Sequence, residues 1–370
     1  MRIERARTIL LCLRYGIGDV VMETPVVETL RRTASHARIT ALGAEPAVEL
    51  LEHDPRVDAI RSATAWGLTH RWDEGDAAVR AAIDAFLDRL APDLVLDPTH
   101  AIAAVRDALL ARRGSATLLD ADRAAEADAV ARGLDGVTAI RAAVLAGWGL
   151  VVPEERLPRL RVGSADRAFA RRFLELHRIR GRAPVGVSPV ASLPMKRWPP
   201  QSFGRIIDGA VEHYGRPVLL FAGPQDGAGA AVLEATAHTH AVTRVGPLHL
   251  RRVAALLERC AAFVCNDTGL MHMAAAVGTP TIAVFGPTAP GIYLPPAAHA
   301  VAVGGREIAC PHRTTDSLDP PGCWTSDHCL IADRSCIGRA SVREVADRLD
   351  EALARRAYAP AASQKGNLAS

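Results

Sequence analysis

AFVCNDTGLMHMAAAVGTPTIAVFGPT, residues Ala262 to Thr288, decides the fold. The apolar run Ala262 to Cys265 reads as a buried strand, Gly269 to Val277 as a helix and Thr281 to Phe285 as a second strand, with Gly278 and Pro280 marking the turn. Strand, helix and strand in that order make a parallel α/β unit. Between Asp267 and Arg306 there is no Asp, Glu, Lys or Arg, a length that could suit a membrane span. Gly278, Pro280, Gly286, Pro287, Pro290 and Gly291 interrupt it too often for that, so the stretch reads as a buried helix, a strand and loops.

Upstream the same alternation repeats. Strand Val185 to Ser188, a Pro-rich loop, helix Ser202 to His213 and strand Pro217 to Phe221 come first. Helix Ala228 to Ala237, a short strand near Val242 and helix Leu250 to Cys260 follow. The first half has its own series: strand Ile9 to Leu13, the tight Tyr15-Gly16-Ile17-Gly18 loop, one helix from Asp19 to Arg32, and strand Arg38 to Leu42. Strand Asp93 to Asp97, helix Ala101 to Ala111 and an Ala-rich segment ending near Gly149 complete it. Two such runs predict an α/β protein of two Rossmann-like lobes whose strand ends face a central cleft. The expected division is an N-terminal lobe over 1–160, a connector over 161–183 carrying helix Ala165 to Arg178, and a C-terminal lobe over 184–340. A closing helix over 341–357, with its core at Val342 to Arg355, and a flexible tail over 358–370 end the chain.

Composition narrows the function. The 370 residues are 49% hydrophobic, enough for a large core, which excludes a disordered chain. Basic residues (44) nearly balance acidic ones (41), so there is no overall charge to hold nucleic acid. The N-terminal apolar run stops at Arg14, too short for a signal peptide, and places the protein in the cytoplasm.

Several residues stand where chemistry is expected. Asp19 follows two glycines at a strand-to-helix turn, which holds a carboxylate at the cleft; a helix N-cap is the plainer role for it. Gly16 and Gly18 lack the third glycine of a dinucleotide fingerprint, position 21 being Val21, and there is no Walker sequence. Lys196, the sole lysine before the tail, sits with Arg197 on the proline-bounded loop SPVASLPMKRWPP, suited to a phosphate unless the two form a solvated pair over Trp198. Asp267, Thr268, Gly269 and His272 open a helix, where free N–H groups make an anion cradle; singly, Asp267 suits a cap and His272 a core position. Asp120-Ala121-Asp122 is set aside as a metal motif because no clear strand presents it. Four of the seven cysteines, Cys310, Cys323, Cys329 and Cys336, could bind a structural zinc or iron with His312 in reserve; spacings of 12, 5 and 6 residues fit reduced thiols better.

Taken in order, ILLCLRYGIGDVVMETPVVETLRR, DLVLDPTH, SPVASLPMKRWPPQSFGRIID, VLLFAGPQD and NDTGLMHMAAAVGTPTIAVFGPT resemble the ADP-heptose:lipopolysaccharide heptosyltransferase family, glycosyltransferase family 9. The resemblance implies a GT-B fold and metal-independent, inverting transfer from an ADP-sugar in the C-terminal lobe to a glycan or glycolipid acceptor in the N-terminal lobe. A lipid-borne acceptor implies peripheral contact with the inner face of the membrane. Asp19 matches the family's acidic catalytic residue in its IGD motif, Lys196 the lysine near the donor phosphates, Asp226 the acidic ribose contact, and Thr268, Gly269 and His272 the diphosphate loop. Gly18, Asp97 and His100 are the acceptor-side candidates. The chain departs from the family at Ser188-Pro189-Val190, at Asp226 for the usual Glu, and at Ala289. A protein or secondary-metabolite acceptor, or a nucleotide-sugar-binding protein without turnover, are the alternatives.

Overall fold

Thr8–Cys12, TILLC, forms strand β1 and is buried along all but its first residue, as a central parallel strand covered on both faces must be. The structure, a computed structural model, describes residues 3–13, 16–67, 77–98, 103–112, 116–120, 136–150, 157–222, 227–305, 310, 312, 322–325, 329–331 and 336–358. Helices α1 (Ile17–Met22) and α2 (Thr24–Thr33) and strands β2 (Arg38–Gly43) and β3 (Ala59–Ser62) follow. Next come α3 (Ala77–Leu90), β4 (Leu94–Asp97), α4 (Ala103–Ala111), β5 (Thr117–Asp120) and α5 (Val137–Gly147). The strands pair in parallel in the order β3-β2-β1-β4-β5, with Ile9 in register with Ile39 and Leu94.

Helix α6 (Ser164–Leu176) leads to the second series: β6 (Val185–Ser188), α7 (Pro200–Glu212), β7 (Val218–Phe221), α8 (Gly227–Ala235) and β8 (Val242–Val245). Then follow α9 (Leu250–Arg259), β9 (Ala262–Asn266), α10 (Gly269–Ala276), β10 (Thr281–Phe285), α11 (Pro290–Tyr293), β11 (Ala300–Gly304) and α12 (Val342–Tyr358). This sheet is also parallel, in the order β11-β10-β9-β6-β7-β8. Both sheets wind outward from their first strand in two directions, the strand order of nucleotide-binding α/β folds. Ligands of such sheets bind beyond the carboxyl ends of the strands where the order reverses. Those points lie between β1 and β4 and between β6 and β9, and the loops leaving β1, β6 and β9 carry Asp19, Lys196 and Asp267.

The single helix expected from Asp19 to Arg32 is two. Helix α1 stops at Met22, Glu23 makes the joint, and Pro25 lies in the first turn of α2. Pro25 has no N–H for the carbonyl of Val21, and the Thr24 hydroxyl donates to that oxygen instead, at 2.7 Å. Strand β3 escapes the pattern reading because AIRS is a half-exposed edge strand with no apolar run. Strand β5 corrects a second point: Asp120 does end a strand, so the ground for setting aside Asp120-Ala121-Asp122 does not hold, although Asp122 lies outside the described residues.

The two sheets are joined by apolar packing and by polar contacts at its edge. One apolar cluster runs from Ile9, Leu11, Val20 and Val21 of the first unit to Leu256, Phe263, Met271 and Met273 of the second. At its rim the start of α1 lies directly on the start of α10. A Cβ on Gly269 would stand 2.7 Å from the Ile17 Cβ and 3.1 Å from the Gly18 backbone nitrogen. Farther out, His249 Nε2 lies 3.3 Å from Glu49 Oε2 and 3.1 Å from Glu52 Oε2.

Gly269→Ala therefore cannot be absorbed by a flexible side chain, since the groups it meets are backbone and a branched Cβ. It should cost about 1–3 kcal/mol of stability and part the two helix starts. Denaturant unfolding and nucleotide titration of the variant check this; wild-type values in both would show that the contact is loose.

Candidate active site

Asp19 is the third residue of α1, whose N-cap is Gly16 with no side-chain cap bond, so Asp19 is not the cap. Its carboxylate folds back over the first turn, where a Cβ on Gly16 would collide with Oδ2. A negative charge is favoured there by the helix dipole. The residue is half-buried and lines a cavity between the sheets.

Across that cavity, the loop after β6 is clamped to the end of β9. Trp198 N donates to Asn266 Oδ1 at 3.0 Å, Asn266 Nδ2 donates to the carbonyl of Pro189 at 2.7 Å, and Trp198 Nε1 donates to the carbonyl of Ala340 at 3.0 Å. The Lys-Arg pair divides: Arg197 is exposed, while Lys196 is buried and its Nζ lies 2.8 Å from Asp267 Oδ2. The Thr288 hydroxyl donates to the same carboxylate oxygen at 2.6 Å. Asp267 is thus an ion-pair partner and not the cap of α10, a place taken by Thr268 without a side-chain bond. The first N–H groups of α10 are left without a side-chain cap, at the positive end of the helix.

His272, one turn into α10, is 5% exposed. Burial lowers its pKa from 6.5 to about 4; Asp267 raises it and Lys196 lowers it. Its Nδ1 is buried and has no hydrogen-bond partner among the described residues. A buried polar atom in that state beside a cavity is a place for a ligand oxygen or a water.

The cavity has a volume of about 540 Å³, the size of a small-molecule site. Gly16, Ile17, Gly18 and Asp19 form one wall; Lys196, Asp267, Thr268, Gly269 and His272 form the other. An apolar end made by Phe221, Val245, Leu248, Leu250 and Val253 suits a flat, weakly polar ring. Sequence reasoning did not find this end, because its residues share no motif and meet only through the strand order. Asn266 and Thr288 were also passed over as site residues, although both lie in motifs that were read.

Gly18 both lines the cavity and belongs to the joint between the sheets, where its Cβ would stand 2.8 Å from His272 Cδ2. Other expectations fall elsewhere. Asp97 is buried at the end of β4 and is not among the cavity-lining residues. His100 and Asp226 lie outside the described residues. Burial raises the pKa of the Cys323 thiol; Cys310 and Cys329 raise it further, and Lys196 acts in the opposite sense. Among the described residues, which include Cys336 and His312, no three metal-ligating side chains gather closely enough to hold an ion.

The family model for glycosyltransferase family 9 (heptosyltransferase) matches residues 114–320. The chain is similar to lipooligosaccharide heptosyltransferase 2 of Haemophilus influenzae, 34% identical over 146 residues, which are 38% of this chain and 42% of that protein. The sequence match thus spans less than half of that relative. Among solved structures, the family 9 glycosyltransferase of Veillonella parvula superposes with a TM-score of 0.72 at 20% identity, covering 94% of this chain and 98% of that one. The ADP-heptose heptosyltransferase II of Escherichia coli gives 0.66 at 19% identity, covering 95% and 99%. These likenesses give both sheets the GT-B arrangement, two Rossmann-like lobes about a cleft.

The neutral His272 has a consequence for stability. Above pH 6.5 it is neutral in both folded and unfolded chains; as pH falls toward 4 the unfolded chain takes up its proton first, and stability is lost. Between pH 7 and 5 the loss from this residue should be about 2 kcal/mol. Urea unfolding of wild type and His272→Gln at both pH values tests it: the variant should lose less by that amount, and equal losses would contradict a neutral His272.

Proposed function

The chain belongs to glycosyltransferase family 9, the heptosyltransferases, and from that membership we propose that it moves a heptosyl or related sugar from an ADP-sugar to an acceptor hydroxyl, with inversion and without a catalytic metal. One observation carries the reading: Asp19 and the uncapped start of α10 face each other across one cavity, a base opposite an anion cradle. The apolar end of the cavity takes the adenine, and the diphosphate lies at Thr268 and Gly269. This directs the anomeric carbon toward Asp19.

In the step itself, Asp19 takes the proton of the acceptor hydroxyl as that oxygen bonds to the anomeric carbon. The bond from that carbon to the phosphate oxygen breaks on the opposite side, and ADP departs with the electron pair. Negative charge grows on the diphosphate, where fixed N–H donors stabilise it, each bond to a charged group being worth about 1.5–3 kcal/mol. Lys196 adds to this from within its pair with Asp267, so the helix start carries the larger part. The relative's name supports a lipid-borne surface glycan as the acceptor. In this reading the protein works in the cytoplasm, against the inner face of the membrane. No helix among the described residues is long and apolar enough to cross a membrane, so that contact is peripheral in the proposal.

Asp19→Asn keeps the shape and removes the base. With ADP-heptose and a lipopolysaccharide-core acceptor, transfer should fall by at least about 100-fold while ADP still binds, and wild-type turnover should survive chelator. Undiminished turnover in the variant would overturn the role of Asp19, and an absolute metal requirement would overturn the metal-free mechanism. Binding of ADP with no product from wild type would leave a binding protein.

A further inference from the structure

Behind the wall that carries Asp19 lies a charged pair outside the cavity. Glu23 is 2% exposed and Arg141 3%, and Arg141 Nε donates to Glu23 Oε1 at 2.9 Å. Arg141 Nη1 donates to the carbonyl of Pro98 at 2.5 Å. The pair therefore joins three elements: the break between α1 and α2, helix α5, and the chain leaving β4. Removing two charges from water is costly, and an apolar pair of similar volume is often at least as stable. Stability alone is thus a weak reason for these residues.

Their place relative to Asp19 supplies a better one. Glu23 is the one residue between α1 and α2, and its N–H donates to the carbonyl of Asp19 at 3.0 Å. It stands one turn after Asp19, with its buried side chain behind the wall that Asp19 lines. We propose that Glu23 and Arg141 are a positioning pair for the transfer reaction: Arg141 anchors the turn that carries Asp19 and cancels the repulsion that a lone Glu23 would exert on its carboxylate. The inference rests on Asp19 acting as the base. Among the described residues, the charged or titratable groups about α1 include Lys196, Asp267 and His272 across the cavity, Glu49 on the turn Ala47–Leu51 with its partner His249, Glu28 on α2, and Asp97 at the end of β4. Arg141→Met and Glu23→Gln leave all of these in place.

The test is the acid limb of the kcat/KM profile, measured on the full chain with saturating acceptor. Arg141→Met leaves a buried carboxylate beside Asp19, so the limb should move up by about one pH unit and kcat at neutral pH should fall about tenfold, with ADP affinity unchanged. Glu23→Gln removes a negative charge behind Asp19 and should move the limb down. The double variant should return it to the wild-type position, and Arg141→Lys should restore much of kcat. Limbs that stay fixed in every variant, whatever happens to melting temperature, would mean that the pair is only structural. If Arg141→Met does not fold, Glu23→Gln and the double variant decide by the same criterion. Asp19→Asn in the same assay separates the premises: abolition of the limb there with no shift in the pair variants sinks only the positioning role. A limb that persists without Asp19 sinks the base assignment as well.

Discussion

The geometry of the site depends on how closely the start of α1 can approach the start of α10. Each helix end carries about half a positive charge, and bringing two such ends together is unfavourable unless negative charge lies between them. The chain supplies part of that charge itself, with Asp19 in the first turn of α1 and Asp267, paired with Lys196, just ahead of the Thr268 cap of α10. Gly18 and Gly269 remove the side chains that would otherwise hold the ends apart. In the proposed mechanism the donor's diphosphate lies beside this junction and supplies the remaining negative charge.

The same balance governs the second wall. Lys196 and Asp267 are both buried and paired, so neither acts as an isolated charge. Taking away the lysine would leave Asp267 buried without its countercharge, so loss of activity in such a variant would include lost stability. His272 shows the other solution to burial: it gives up its charge and remains neutral at physiological pH.

Much of this was legible in the residues. The run from Ala262 to Thr288 specified strand, helix and strand within one residue at each end, because apolar runs and glycine or proline turns coincide there. Asp19, Lys196 and the helix start at Thr268 were found for the same reason: each follows a buried strand. Partners joined only through space were not legible. The Lys196–Asp267 pair spans 71 residues and Glu23–Arg141 spans 118, and both depend on strand order, which local periodicity does not encode. The break at Glu23 was hidden because Thr24 and Pro25 interrupt a helix without changing the spacing of its apolar face.

In the proposed mechanism one cavity holds the donor, with its diphosphate on α10 and its sugar facing α1. A crystal structure of the protein with an ADP-sugar is the direct check. Phosphate oxygens should lie within hydrogen-bonding distance of the Thr268 and Gly269 N–H groups, adenine among Val245, Leu248 and Val253, and the Asp19 carboxylate on the side of the anomeric carbon away from the phosphate. A nucleotide bound at the first sheet, or a sugar turned away from Asp19, would contradict it.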